Sequence, residues 1–248
     1  MLAPAPAPAE ILAADHPCFG CEVRHIAVCR TLDCDDLALM KQMGWSLRLR
    51  AGQTLFHEGD PATRVFSVTR GSLKLYKLLP DGRRQVTGFL FPGDFLGIAV
   101  DDEHAFTAEA MEESQLCWFP RSRFDAFVEE HGEMERALYR LAAHELAAAQ
   151  RQMVLLGRKT AEERLASFFV DRIRDAEKAS GARESMIDLP MGRTDIADYL
   201  GLTKETVSRV LASLKNKRVM RLEALNRVEI LDRRALEATA EGSAVIFA

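Results

Sequence analysis

No apolar run in these 248 residues is long enough to span a bilayer, so a membrane-crossing helix is excluded. The opening Met1-Leu2-Ala3-Pro4-Ala5-Pro6-Ala7-Pro8 lacks the basic start and apolar core of a signal peptide. An Ala-Pro repeat can neither pack nor form a helix, which predicts a disordered tail over 1–15 and a cytoplasmic protein. An excess of positive charge is also missing: the formal net charge is -4, so any affinity for nucleic acid must come from a local patch. There is no Gly-rich phosphate loop, no His-Glu-x-x-His helix and no nucleophile elbow. The acidic clusters Asp101-Asp102-Glu103 and Glu112-Glu113 fall on expected loops with no partner base. These absences weigh against an enzyme, the rival class being a barrel protein with a catalytic metal centre.

Cysteine is scarce but crowded. Four of the five, Cys18, Cys21, Cys29 and Cys34, lie within seventeen residues, and Cys117 stands alone far downstream. In a reducing compartment such a cluster points to metal or redox chemistry rather than disulfides. Spacing alone leaves the chemistry open. The four clustered thiols suit zinc, with Cys117 an inert core thiol, and His25 can replace one of them. Iron–sulfur ligation fits as well, as does a metal-free thiol switch. His16, His25 and His57 read as solvated or structural side chains rather than ligands.

Leu32, Leu37, Leu39, Met40 and Met43 suggest a short helix over 33–43. From Trp45 to about residue 120 short alternating segments are punctuated by Gly and Pro, including the hairpin turn Pro80-Asp81-Gly82 and the turn Gly93–Gly97. That texture predicts an antiparallel β-barrel or jelly roll, with Cys117 in its last strand and Pro120 at its end. A short helix over 121–129 follows. Residues 134–156 carry no Gly or Pro before their end and keep one apolar stripe, including Leu138, Leu141, Leu146, Ala149, Met153 and Leu156. Either the stripe packs on its own barrel or it pairs with the same helix of a second subunit. Pairing is expected, because a small barrel cannot cover so long a stripe. Thr160-Ala161-Glu162-Glu163 has the capping-box pattern and opens a helix that Ser180-Gly181 stops. The resulting division is a tail (1–15), a cysteine-rich segment (16–44), a β-barrel (45–131), a dimerisation helix (132–158) and a C-terminal domain (159–248). The class is α+β.

Within that last domain, 194–200 and 203–215 form two short helices joined at Gly201-Leu202, with Thr203 as N-cap: a helix-turn-helix. Ile196, Ala197, Leu200, Val207, Val210, Leu211 and Leu214 are spaced to lock the pair. Lys204, Glu205, Ser208 and Arg209 then face outward near the start of the second helix, beside Thr203 and Thr206, where a recognition helix meets the major groove. From Lys204 to Arg221 there are six basic residues against one acid. The bland reading is a solvated helix face; the combined pattern favours DNA binding. Residues 222–231 read as a two-stranded wing turning near Leu225-Asn226-Arg227, and 233–240 as a last short helix.

Barrel, long helix and winged helix-turn-helix together resemble the CRP/FNR family of bacterial transcription regulators, over nearly the whole chain from Cys18. The motifs that carry the resemblance are Asp195-Ile196-Ala197-Asp198-Tyr199-Leu200-Gly201-Leu202-Thr203-x-Glu205-Thr206-Val207-Ser208-Arg209 and Lys159-Thr160-Ala161-Glu162-Glu163-Arg164-Leu165. Glu-x-x-Ser-Arg is similar to the FNR form and implies a palindromic TTGAT-type site read by Glu205, Ser208 and Arg209 of a homodimer. The cyclic-nucleotide sensors of the family carry a Gly-Glu-Leu segment and an Arg-Ser pair. Here the corresponding stretches are Gly93-Asp94-Phe95-Leu96-Gly97 and Ala105-Phe106-Thr107-Ala108, so the ribose-binding glutamate and phosphate-binding arginine are missing and no cyclic nucleotide is expected.

The resemblance further implies an oxygen-labile [4Fe-4S] cluster on Cys18, Cys21, Cys29 and Cys117, similar to regulators of the FnrN/FnrL type, with Cys34 spare. An intact cluster would tie the N-terminal segment beside the dimer helix and hold two recognition helices in register. The resemblance also makes the hairpin Leu79–Arg84 a candidate contact for RNA polymerase, against the alternative of an ordinary solvated hairpin.

Overall fold

The structure is a computed structural model and describes residues 18, 20–98, 102–224 and 226–242. The expected tail, His16 and Leu225 lie outside the described residues. No helix among the described residues is long and apolar enough to cross a membrane.

The cysteine segment passes through one turn of 3-10 helix, Val28–Thr31, into helix α1, Cys34–Gln42. Asp33 caps α1 by accepting from the Asp36 amide at 2.8 Å, and Asp35 and Asp36 stand at the positive end of the helix dipole. Among the described residues eight strands follow: β1 Trp45–Leu49, β2 Thr54–Phe56, β3 Arg64–Arg70, β4 Leu73–Leu78, β5 Arg84–Leu90, β6 Phe95–Leu96, β7 Thr107–Ala110 and β8 Ser114–Pro120. They form two antiparallel sheets, ordered β1-β8-β3-β6 and β2-β7-β4-β5. All eight contribute to one core, among them Leu49, Phe56, Phe66, Leu73, Leu90, Leu96, Ala108 and Leu116. The expected jelly-roll-like architecture is therefore present.

One detail differs from the sequence reading. The segment expected only as a turn over 93–97 holds β6, which pairs Phe66 with Leu96 and Ser67 with Phe95. Pro120 ends the sheet as expected, as the last residue of β8, opposite Arg64. Proline is tolerated there because a strand end demands no further ladder donor.

Strand β8 is central, between β1 and β3, and the two-residue period sends its side chains to two different cores. Leu116 and Trp118 face the space between the sheets. Cys117 and Phe119 face the other way, into a second cluster with Leu32, Leu37, Met40, Phe124, Phe127 and Met134. That second cluster joins α1 to helix α2 (Arg121–Glu130) and to the long helix α3 (Gly132–Arg158).

The C-terminal domain comprises α4 (Ala161–Ser180), β9 (Met186–Asp188), α5 (Arg193–Leu200), α6 (Lys204–Asn216), β10 (Met220–Ala224), β11 (Arg227–Ile230) and α7 (Arg233–Ala240). Thr160 and Glu163 make the reciprocal capping box that opens α4, and Gly181 ends it in the left-handed conformation. The wing was read as two strands; it is three, ordered β10-β11-β9. Three residues are too short for β9 to show a period-2 pattern in the sequence. Arg164 knots the domain to the end of α3: its guanidinium donates to the carbonyls of Leu156, Lys159 and Leu200 at 2.8, 2.9 and 2.9 Å.

Candidate functional site: a thiol-lined cavity and a nucleic-acid interface

The N-terminal loop lays its cysteines against the outer face of β8. A Cβ at Gly93 would come within 2.8 Å of the Ile26 side chain, so only glycine lets the loop approach the sandwich this closely. Cys18, Cys21, Cys29 and Cys117 line one cavity, walled by Val23, Ala27, Val28, Leu37, Met40 and Phe119. Cys34 does not line it. The Lys41 ammonium donates to the Cys117 sulfur at 3.7 Å, a charge-assisted contact that favours thiolate.

Burial, reinforced by neighbouring thiols, raises Cys18 and Cys117 above the ordinary thiol value, while Lys41 pulls both back. Burial with the charges of Cys21, Cys18 and Cys117 pushes Cys29 up to about 12. In this largely apolar shell burial favours the protonated thiols, and a cation among them would favour thiolate. Among the described residues, no three His, Cys, Asp or Glu side chains converge closely enough to hold a single metal ion. The donors surround a space rather than a point. His25 and His57 are both exposed.

The cavity wall continues into α3. The 3-10 turn bearing Cys29 lies against that helix, and Cys18, Val28, Cys29, Cys34 and Cys117 pack on the same cluster as Met134, Leu138 and Leu141. The stripe along α3 is thus not uniform. Leu138 and Leu141 are half-buried against their own chain, and Leu156 packs on the C-terminal core. Between them Leu146 and Met153 are 63% and 71% exposed, and Ala149 is also exposed.

At the other end of the chain, α5 and α6 meet at Gly201, whose φ of +62° makes the tight turn accessible to glycine. Ile196, Ala197, Leu200, Val207, Val210, Leu211 and Leu214 are all buried, as the spacing predicts. Lys204, Glu205 and Arg209 are exposed, and Ser208 is half-buried. Thr203 and Thr206 serve the helix first: the Thr203 hydroxyl accepts from the Thr206 amide at 3.1 Å, and Arg209 donates to the Thr206 hydroxyl at 3.4 Å. Arg193, at the start of α5, donates to the Ser208 hydroxyl at 3.4 Å and joins this surface. Sequence reasoning missed it, because fifteen residues separate it from Ser208 and only the helix crossing brings them together. The basic patch is smaller than the sequence suggests. Lys217 pairs with Glu162 at 2.6 Å, and Arg221 pairs with Glu223 and Glu229.

The hairpin splits as well. Leu79 to Arg83 are exposed, with Arg83 on Asp81 at 2.7 Å. Arg84, counted with them in the sequence, turns inward to the C-terminal domain and bonds Asp195 and Asp198. Nearby, the stretches compared with nucleotide-binding segments are otherwise engaged. Asp94 accepts from the Phe91 amide at 2.8 Å, and the Thr107 hydroxyl accepts from the Glu58 amide at 3.0 Å.

Residues 46–131 match the cyclic nucleotide-binding domain and residues 163–239 the Crp-like helix-turn-helix domain. The nitrogen fixation regulation protein FixK of Bradyrhizobium diazoefficiens is 42% identical over 200 residues, covering 81% of this chain and 84% of the relative. The transcriptional activator protein FnrL of Cereibacter sphaeroides is 38% identical over 234 residues, covering 92% and 94%. Among solved structures, FixK2 from Bradyrhizobium japonicum superposes with a TM-score of 0.74 at 34% identity, covering 82% of this chain and 99% of that one.

Proposed function

The chain belongs to the CRP/FNR family of DNA-binding transcription regulators, and from that premise we propose that it is an oxygen-responsive member holding a [4Fe-4S] cluster. It is a regulator and not an enzyme. The observation that carries the proposal is the convergence of Cys18, Cys21, Cys29 and Cys117 on one cavity that Cys34 does not line. A cluster several atoms across is held by thiolates ringed about a space, which is how these four stand. Lys41 adds a positive charge to a site whose thiolates would otherwise carry only negative ones. When bound, the cluster supplies an oxygen-labile crosslink between the N-terminal loop and β8.

The residues then do the coupling. Cys18, Cys21 and Cys29 order their loop against Cys117. The 3-10 turn with Cys29 presses on α3 through the cluster shared by Val28, Leu138 and Leu141. An ordered α3 presents Leu146, Ala149 and Met153 to the same residues of a second subunit, and Leu138, Leu141 and Leu156 brace the ends. The homodimer sets two copies of α6 about one DNA turn apart on a TTGAT-N4-ATCAA palindrome. Glu205, Ser208 and Arg209 read base edges; Lys204, Thr203 and Thr206 lie beside the backbone. The exposed hairpin tip, Leu79 to Arg83, is the surface offered to RNA polymerase, mainly in activation of genes for low oxygen. A cyclic nucleotide has no place in this scheme, since its phosphate would find no arginine partner.

Anaerobic purification tests the reading. The expected outcome is a brown protein whose footprint on the palindrome disappears after exposure to air. A colourless protein, or one whose dimerisation and DNA affinity ignore air, would overturn it.

A further inference from the structure

The first helix of the helix-turn-helix does not stand free of the β-sandwich. Helix α5 carries Asp195 and Asp198 three residues apart, hence on one face. Two like charges there repel each other, and they would repel DNA phosphate if they faced it. Both are instead turned onto β4 and β5. Asp195 accepts from Lys74 at 3.0 Å and from Arg84 at 2.8 Å. Asp198 accepts from Arg84 at 2.8 Å.

Lys74, the second residue of β4, is unusual for a lysine, with only 9% of its side chain exposed. Lysine is rarely buried unless paired. Its cross-strand neighbour Glu109 supplies one carboxylate at 3.0 Å; Asp195 supplies a second only when the C-terminal domain is docked. Around this ionic centre, Phe89 lies against Tyr199 with ring centroids 5.1 Å apart. Gln85 of the sandwich and Gln152 of α3 both donate to the Tyr199 carbonyl, at 3.3 and 2.8 Å. Throughout, Glu205 and Arg209 stay exposed. Docking aims the recognition surface without covering it.

We propose that Lys74 and Arg84 are positioning residues for DNA recognition: by holding Asp195 and Asp198 they let the sandwich, and not the α3–α4 link alone, set the direction of the recognition helix. The inference rests on the palindrome reading above. Arg84 and Asp198 are the pair to exchange, since Lys74 is buried deeply enough that its loss can prevent folding. The full chain, prepared anaerobically, is compared with Arg84→Glu, Asp198→Arg and the double exchange. Each is titrated with TTGAT-N4-ATCAA and with the same half-sites at altered spacing.

Arg84→Glu should weaken binding to the N4 site about 10-fold and flatten the preference among spacings, with the dimer constant unchanged. The double exchange should restore most of that preference. A gain in phosphate attraction from the new arginine raises all spacings alike, and so does not mimic this result. An unaltered spacing preference in Arg84→Glu, or a double exchange no better than its parents, overturns the inference.

Hydrogen exchange of the α5 amides judges the docking without DNA. Faster exchange in Arg84→Glu, reversed in the double exchange, supports the inference, and unchanged exchange sinks it. Failure of the parent protein to bind the palindrome at all counts instead against the proposed function.

Discussion

Single side chains in this protein are often placed by one neighbour that offsets a cost. Asp94 is half-buried in the turn that the cysteine loop crosses, and it caps the Phe91 amide. Burial pushes its carboxyl up from 3.8 to about 6. A carboxylate whose folded value is raised makes a relative contribution that is complete below its unfolded value and lost as pH rises through the folded one. Asp94→Asn keeps an oxygen for the Phe91 amide and removes the buried charge. Chemical denaturation should find the variant more stable by about 1–2 kcal/mol at neutral pH. The advantage should shrink as pH falls through about 6, and vanish near 3.8. A difference independent of pH would mean that the charge is not what costs stability there. The same scale explains Cys117. Its value as a site residue depends on strand parity, since a slip of one residue in β8 would turn the thiol into the inter-sheet core.

At the scale of elements, α3 divides into three parts that its sequence presents as one. The first turns are covered by the cysteine loop and α2, and the last turn by the C-terminal core through Leu155. The middle is bare, with Leu146 and Met153 more than half exposed. Met153 is 71% exposed, so Met153→Glu removes little packing within the protomer and its thermal midpoint at high dilution should barely move. Burial of a methionine on both sides of a twofold interface is worth about 1.5–3 kcal/mol per side chain. Sedimentation of Met153→Glu should therefore show a dimer constant weaker by at least about 100-fold. Dimer strength equal to the parent would show that the bare stretch is not the interface. The alternative considered from sequence, a stripe packed on its own barrel, holds for the first turns of the helix; the last turn packs on the C-terminal core and the centre on neither.

For the whole molecule, the thiol cavity and the recognition surface are linked through elements packed on one another. The connection runs from Cys29 to α3, from α3 through the Arg164 carbonyl knot to α4, and from β5 directly onto α5. The proposed clasp closed by Cys117 belongs to this scale, because it would join the N-terminal loop to the sandwich. Replacing each cysteine with serine tests it. Iron and acid-labile sulfide, measured after anaerobic purification, should fall to a small fraction in Cys117→Ser and remain at the parent level in Cys34→Ser. Loss in Cys34→Ser with retention in Cys117→Ser would place the centre wholly within the N-terminal loop.

Local regularities were legible from sequence because their causes are local. The alternation of β1, β4 and β8, the capping box at Thr160, the glycine turn at Gly201 and the seven residues that lock α5 to α6 all follow from spacing within a few residues. The family motifs sit on those elements, so the regulator class was readable too. What depended on distant partners was not. The resemblance had already singled out Cys117 over Cys34, but tertiary structure alone decided that Arg84 leaves its hairpin for Asp195 and Asp198, that Arg193 reaches Ser208, and that the α3 stripe is covered at its ends and bare at Leu146 and Met153. Each is a contact between elements far apart in the chain, set by how two surfaces fit once both are folded, and no periodicity within either segment records it.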